Sequence, residues 1–122
     1  MKWRFTDDQP LYLQAASLIR GAVFSGEFPP GGRIPSVREL AAQARINPNT
    51  MQRAMAELER DGLVYSQRTA GRFVTEDAAV IAAAKRALAQ RHLDEFLAAM
   101  KGLGYEKDEI VSLLRQEMEK EE

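Results

Sequence analysis

Cysteine is absent from the 122 residues, which excludes disulfides and thiolate metal sites and fits a reducing cytoplasm. Histidine occurs once, at His92, and one imidazole cannot assemble the ligand set of a zinc site. No metal and no cofactor is therefore expected. No apolar run approaches the roughly 20 residues that cross a bilayer, and the opening Met1-Lys2-Trp3-Arg4-Phe5-Thr6-Asp7-Asp8 lacks the apolar centre of a secretory leader. These absences predict a cytoplasmic chain with no membrane partner. A glycine-rich phosphate loop, a nucleophile–base pair and paired carboxylates beside an evident cleft are missing too, so an enzyme is not expected.

An excess of charge of one sign is also lacking: the net charge is −1. Its distribution is uneven. Seven arginines, no lysine and four acids lie between Phe28 and Thr75, whereas Asp77 to Glu122 carries seven basic and ten acidic residues. A cationic middle facing phosphate and an acidic tail with another task would produce this asymmetry.

What is present is helix-start chemistry, twice in close succession. Ser36 with Glu39 three residues on predicts a capping box, each side chain binding the other's backbone N–H. Asn47 before Pro48 is a second start, since Asn is a favoured N-cap and proline at the first helical position gives up no hydrogen bond. Helices are expected over about Val37–Ala44 and Pro48–Arg60, with only Arg45 to Asn47 between them. An earlier helix is expected from about Pro10 to Ser25, its apolar Ala15, Leu18, Ile19, Ala22 and Val23 recurring at helical spacing and Gly26 ending it. Leu63–Gln67 and Arg72–Thr75 read as short strands joined through Arg68 to Gly71. The fold class is therefore mainly α with a small β-hairpin: a winged helix-turn-helix over residues 1–76, then two C-terminal helices over 77–122.

On the third helix Met51, Ala54, Met55 and Leu58 form one apolar stripe that must face a core. The opposite side presents Asn49 and Arg53 with Gln52 at its edge, the amide and guanidinium types that pair with base edges in the major groove. Ala56 keeps the middle of that side low. A solvated helix face is the bland alternative, and the tight turn before the helix and the wing after it favour double-stranded DNA. Thr50 is equally suited to a phosphate or to its own helix backbone. Arg38 lies in a first helical turn, where the dipole disfavours a cation; a phosphate would compensate, as would a salt bridge to Glu39 or Glu57. Arg33 and Arg45 are weaker candidates for the same task, and Ser36 is a cap at a helix N-terminus able to bind phosphate. At the wing, Arg68 or Arg72 could enter the minor groove, and Gly71 permits a turn other residues resist.

These motifs resemble the GntR family of bacterial transcription regulators over about residues 9 to 75. The resemblance rests on Pro10-Leu11-Tyr12-Leu13-Gln14, Pro35-Ser36-Val37-Arg38-Glu39-Leu40-Ala41, Asn47-Pro48-Asn49-Thr50 with Gln52-Arg53-Ala54, and Leu58-Glu59-Arg60-Asp61-Gly62-Leu63. It implies DNA contact through Arg38, the first turns of the third helix, and Gly71. Some branches place an arginine where this chain has Pro48, so no contact is carried over there. The Asn-Pro-Asn-Thr form and the short tail are similar to the YtrA-like branch, whose members tend to be repressors with two C-terminal dimerisation helices.

The tail's apolar residues predict a homodimer reading a palindromic site. Ile81, Ala84 and Leu88 begin a face, Leu93, Phe96, Leu97 and Met100 continue it at a rotated angle, and Ile110 and Leu114 serve the last helix. Two helices cannot bury all of this against each other, so they pack on the winged domain or on a second copy. The tail is too small to enclose an ordinary ligand pocket alone, and the sequence names no small-molecule effector. Two other readings remain: a winged helix used only for protein–protein contact, and RNA binding, against which stands the lack of an evident exposed aromatic sheet face.

Overall fold

A computed structural model describes residues Met1–Glu121. Its elements run α1 (Leu11–Ser25), β1 (Arg33–Ile34), α2 (Val37–Ala44), α3 (Pro48–Arg60), β2 (Val64–Gln67), β3 (Gly71–Val74), α4 (Ala78–Gly102) and α5 (Lys107–Glu119). The chain divides into two compact units, Met1–Lys85 and Arg86–Glu122, so that α4 begins in the first and ends in the second.

Local chemistry sets the ends of the central helices. The Ser36 hydroxyl accepts from the Glu39 N–H at 3.1 Å and Asn47 Oδ1 from the Asn49 N–H at 2.7 Å. Only half of the expected capping box forms at α2, because no bond returns from the Glu39 side chain to the Ser36 N–H. The complete box is at α5, where Glu106 caps and the Glu109 carboxylate accepts from its N–H at 2.9 Å. Between α2 and α3, Arg45 closes the helix in the left-handed region (φ 59°, ψ 44°), the only non-glycine residue with positive φ among those described.

The expected hairpin is a three-stranded antiparallel sheet in the order β1-β3-β2. The added strand β1 pairs Arg33 with Phe73 and Ile34 with Arg72. Ile34 thereby enters the core, 2% exposed, with Ile19, Leu40, Met51, Met55, Leu58, Leu63 and Val74. Burial of each such side chain is worth about 1.5–3 kcal/mol of transfer free energy. Since α1 and α2 both pack on α3, this core fixes the rotation of α3 about its axis and with it the side that faces outward.

Three tail residues expected on a dimerisation face already make contacts within the single chain. Ile81 and Ala84 pack against the core of the first unit, because the opening turns of α4 belong to that unit. Ile110 is 3% exposed within the single chain and offers no free surface. In the second unit Leu93, Phe96, Leu97, Leu103, Val111, Leu114 and Met118 are exposed, while Leu88 and Met100 are half-buried.

Candidate nucleic-acid interface

The side of α3 opposite its buried stripe carries Asn49, Gln52, Arg53 and Ala56, all exposed, with Thr50 half-buried beside them. The Asn49 backbone N–H is spent on the Asn47 cap, and its carboxamide has no hydrogen-bond partner among the described residues. Arg53 has no ion pair among the described residues; its guanidinium carbon stands 3.8 Å from the centroid of the Tyr12 ring. An amide, a second amide and a guanidinium on the first turns of a rigidly seated helix can make paired donor–acceptor contacts to purine edges.

Ion pairing sorts the arginines around this helix. Arg60 binds Glu57 at 2.9 Å and Arg72 binds Glu59 at 2.7 Å, while Asp61 takes Arg20 of α1 at 2.8 Å. Of the seven arginines between Phe28 and Thr75, the other five, Arg33, Arg38, Arg45, Arg53 and Arg68, are exposed and have no acid partner among the described residues. Arg38 makes neither of the salt bridges open to it: Glu57 is taken by Arg60, and Glu39 has no ion pair among the described residues. Free guanidiniums beside helix N-termini suit phosphate oxygens.

The wing is built around two contacts the sequence did not disclose. Glu59 Oε1 accepts from Ser66 Oγ and from Arg72 Nε, each at 2.7 Å, tying the last turn of α3 to β2 and β3. The Ser66 hydroxyl and then the Arg72 guanidinium hold the Glu59 carboxyl below its ordinary value against the opposing effect of partial burial. Arg72 is thus a half-buried anchor of the wing, whereas Arg68 stands free in the turn. Strand pairing also brings Arg33 to the wing. A Cβ on Gly71 (φ 107°) would lie 3.1 Å from Arg33 Nε, so glycine here serves both the turn and the passage of that guanidinium. The expectation of no exposed aromatic on the sheet is corrected by Tyr65, 36% exposed and stacked on Phe73 with ring centroids 5.8 Å apart.

Tyr12, Gln14 and Glu59 lie inside the motifs quoted above, but their roles depend on distant partners. Gln14 clamps the N-terminal arm to α1. Its carboxamide oxygen accepts from the Thr6 N–H at 2.8 Å, and its nitrogen donates to the carbonyls of Thr6 and Gln9 at 2.9 and 2.7 Å. Among the described residues no group of side chains could hold a metal ion, and no helix is long and apolar enough to cross a membrane.

Known proteins are similar to this chain in sequence and in structure. Residues 11–74 match the model of the bacterial regulatory proteins of the gntR family. An uncharacterized HTH-type transcriptional regulator of Bacillus subtilis, YhcF, is 40% identical over 108 residues, 88% of this chain and 89% of its own. The HTH-type transcriptional repressor YtrA of the same organism is 39% identical over 69 residues, covering 57% of this chain and 53% of its own. Among solved structures, a GntR family transcriptional regulator from Listeria monocytogenes superposes with a TM-score of 0.88 at 34% identity, over 92% of this chain and 98% of that one.

Proposed function

The chain belongs to the GntR family of bacterial regulatory proteins, which are DNA-binding transcription regulators, and from that premise we propose that it is a cytoplasmic repressor acting as a homodimer on a palindromic operator. The observation that carries the DNA reading is the exposed Asn49, Gln52 and Arg53 on a helix whose other side is locked in the core. Asn49, Gln52 and Arg53 read base edges. Arg33, Ser36, Arg38 and Thr50 hold phosphates, and Arg68 and Gly71 bring the wing to the minor groove, with Arg72 anchoring that wing from behind. Repression is supported by the likeness to the repressor YtrA. Dimerisation is supported by the apolar side chains left exposed in the second unit, Leu93, Phe96, Leu97 and Leu114 foremost.

Selection of the purified chain against a random duplex library tests the reading. A two-fold consensus with fixed half-site spacing is the expected result. Enrichment of nothing, or salt-sensitive binding to every duplex alike, refutes sequence-specific recognition by the free protein. Sedimentation tests the dimer. Leu93→Glu with Leu97→Glu places two carboxylates on adjacent turns of α4 that are exposed in the single chain. They leave an isolated monomer folded but break an apolar interface, so an unaltered dimer would sink the tail assignment.

A further inference from the structure

The Arg53 guanidinium faces the ring of Tyr12 from 3.8 Å, although the two residues belong to different helices. Tyr12 is the second residue of α1, half-buried against the core. Its helix start is immobilised by Gln14, which bonds back to Thr6 and Gln9. The ring is therefore a fixed platform, seated by the same packing of α1 on α3 that orients the recognition helix.

We propose that Tyr12 is a positioning residue for DNA reading: its ring holds the Arg53 guanidinium by one face, leaving the in-plane N–H edge free to pair with a base. The inference rests on Arg53 being a base-reading residue, as proposed above. A guanidinium carries its five donors in its plane and stacks on aromatics through its face, so the two contacts do not compete. Neither an acid nor a carbonyl takes the Arg53 N–H groups among the described residues, while the guanidinium carbon lies over the Tyr12 ring. A free arginine side chain samples many rotamers, and confining it before binding reduces the entropy lost on complex formation. Recognition by Arg53 would then depend on a residue that touches no DNA itself.

The ring face carries this role and the hydroxyl does not, since the Tyr12 oxygen makes no hydrogen bond within the described residues; Tyr12→Phe should behave as wild type. Tyr12→Leu keeps apolar bulk against the core but removes the π face. The full chain is titrated by fluorescence anisotropy against the consensus duplex recovered by selection and against a scrambled duplex of equal length. Tyr12→Leu is expected to weaken consensus binding by about 5- to 30-fold for a two-fold site, the range of two partly exposed cation–π contacts. Scrambled-duplex affinity should not move, and in an Arg53→Ala background Tyr12→Leu should have no further effect. The inference is overturned if Tyr12→Leu binds the consensus like wild type, or more tightly, which would mean that the ring withholds Arg53 from DNA. It is equally overturned if the loss persists in the Arg53→Ala background or extends to scrambled DNA, both marks of a merely structural role. If Arg53→Ala alone leaves consensus binding intact, the base-reading assignment fails first, and that outcome is distinct from all of these.

Discussion

The tie between recognition helix and wing passes through a single carboxylate oxygen, and Glu59→Gln removes its charge while keeping its shape. Glu59 Oε1 receives Ser66 Oγ and Arg72 Nε, both at 2.7 Å. A hydrogen bond to a charged group is worth roughly 1.5–3 kcal/mol against about 0.5–1.5 for a neutral one, so the Ser66 bond would lose about 1 kcal/mol, while the Arg72 bond keeps its cationic donor and adds the loss of the ion-pair attraction. The side chains of Arg72 and Glu59 keep 23% and 33% of their exposure, and solvent screening of such a pair lowers the expected loss to about 1 kcal/mol. For the unit Met1–Lys85 that corresponds to a fall in Tm of about 4–8 °C. Because the folded protein holds the Glu59 carboxyl below its ordinary value, its stabilisation is complete above that ordinary value, which the unfolded chain keeps. It is lost as the pH falls through the lower folded value. Urea denaturation followed by circular dichroism, at matched protein concentration, should show wild type more stable than Glu59→Gln at neutral pH, with the two curves converging in strong acid. Equal stability at neutral pH, or a gap that stays constant into acid, would refute the clamp.

Other substitutions separate stability from binding. Arg45→Gly relieves the left-handed backbone at φ 59° and should raise stability by about 0.5–1 kcal/mol in thermal melts; loss of duplex affinity in the same variant would identify Arg45 as a phosphate contact. Arg38→Ala should weaken consensus and random duplexes alike and flatten the slope of log K against log salt by about 0.9 for each phosphate that Arg38 neutralises, whereas an unchanged slope would clear it of that role. Gly71→Ala puts a Cβ 3.1 Å from Arg33 Nε at a φ of 107° and should cost about 1–3 kcal/mol in denaturant titrations; an unchanged midpoint would show that the wing turn tolerates a side chain.

Helices α2 and α3 were legible to their end residues because caps and glycines write helix ends locally: Ser36, Asn47-Pro48 and Gly62 need no distant partner to act. Strand β1 was not, since two residues, Arg33 and Ile34, are too few for an alternating pattern, and they become a strand only by pairing with β3, about forty residues away. The same holds for the site. Asn49, Gln52 and Arg53 could be placed by stepping around α3 from its buried stripe. Tyr12 against Arg53 and Glu59 against Arg72 are tertiary contacts that no spacing rule generates. In the tail, periodicity found the apolar residues but could not say which would be satisfied within the chain. Ile81 and Ala84 proved to serve the core, while Leu93, Phe96 and Leu97 stayed exposed.

Charge shows most sharply why composition misleads here. A chain of net charge −1 suggests no affinity for a polyanion, and even the arginine-rich middle carries only a small surplus. Pairing changes that result, because a charge matched at 2.7–2.9 Å contributes little to the field a few ångströms outside. Glu57, Glu59 and Asp61 are three of the four acids in that middle segment, and each is held by an arginine, Arg60, Arg72 and Arg20 respectively. Arg33, Arg38, Arg45, Arg53 and Arg68 then face solvent, with Glu39 as the remaining acid of the segment that has no ion pair among the described residues. Ionic screening confines an exposed charge's influence to about 8 Å at physiological salt, so a polyanion brought against this face would respond to these local guanidiniums more than to the chain's total. Glu57, Glu59 and Asp61 act structurally: Glu57 pairs within α3, Glu59 clamps the wing to it and Asp61 joins it to α1. By engaging Arg60, Arg72 and Arg20 they leave the other arginines of the middle segment without an acid partner among the described residues.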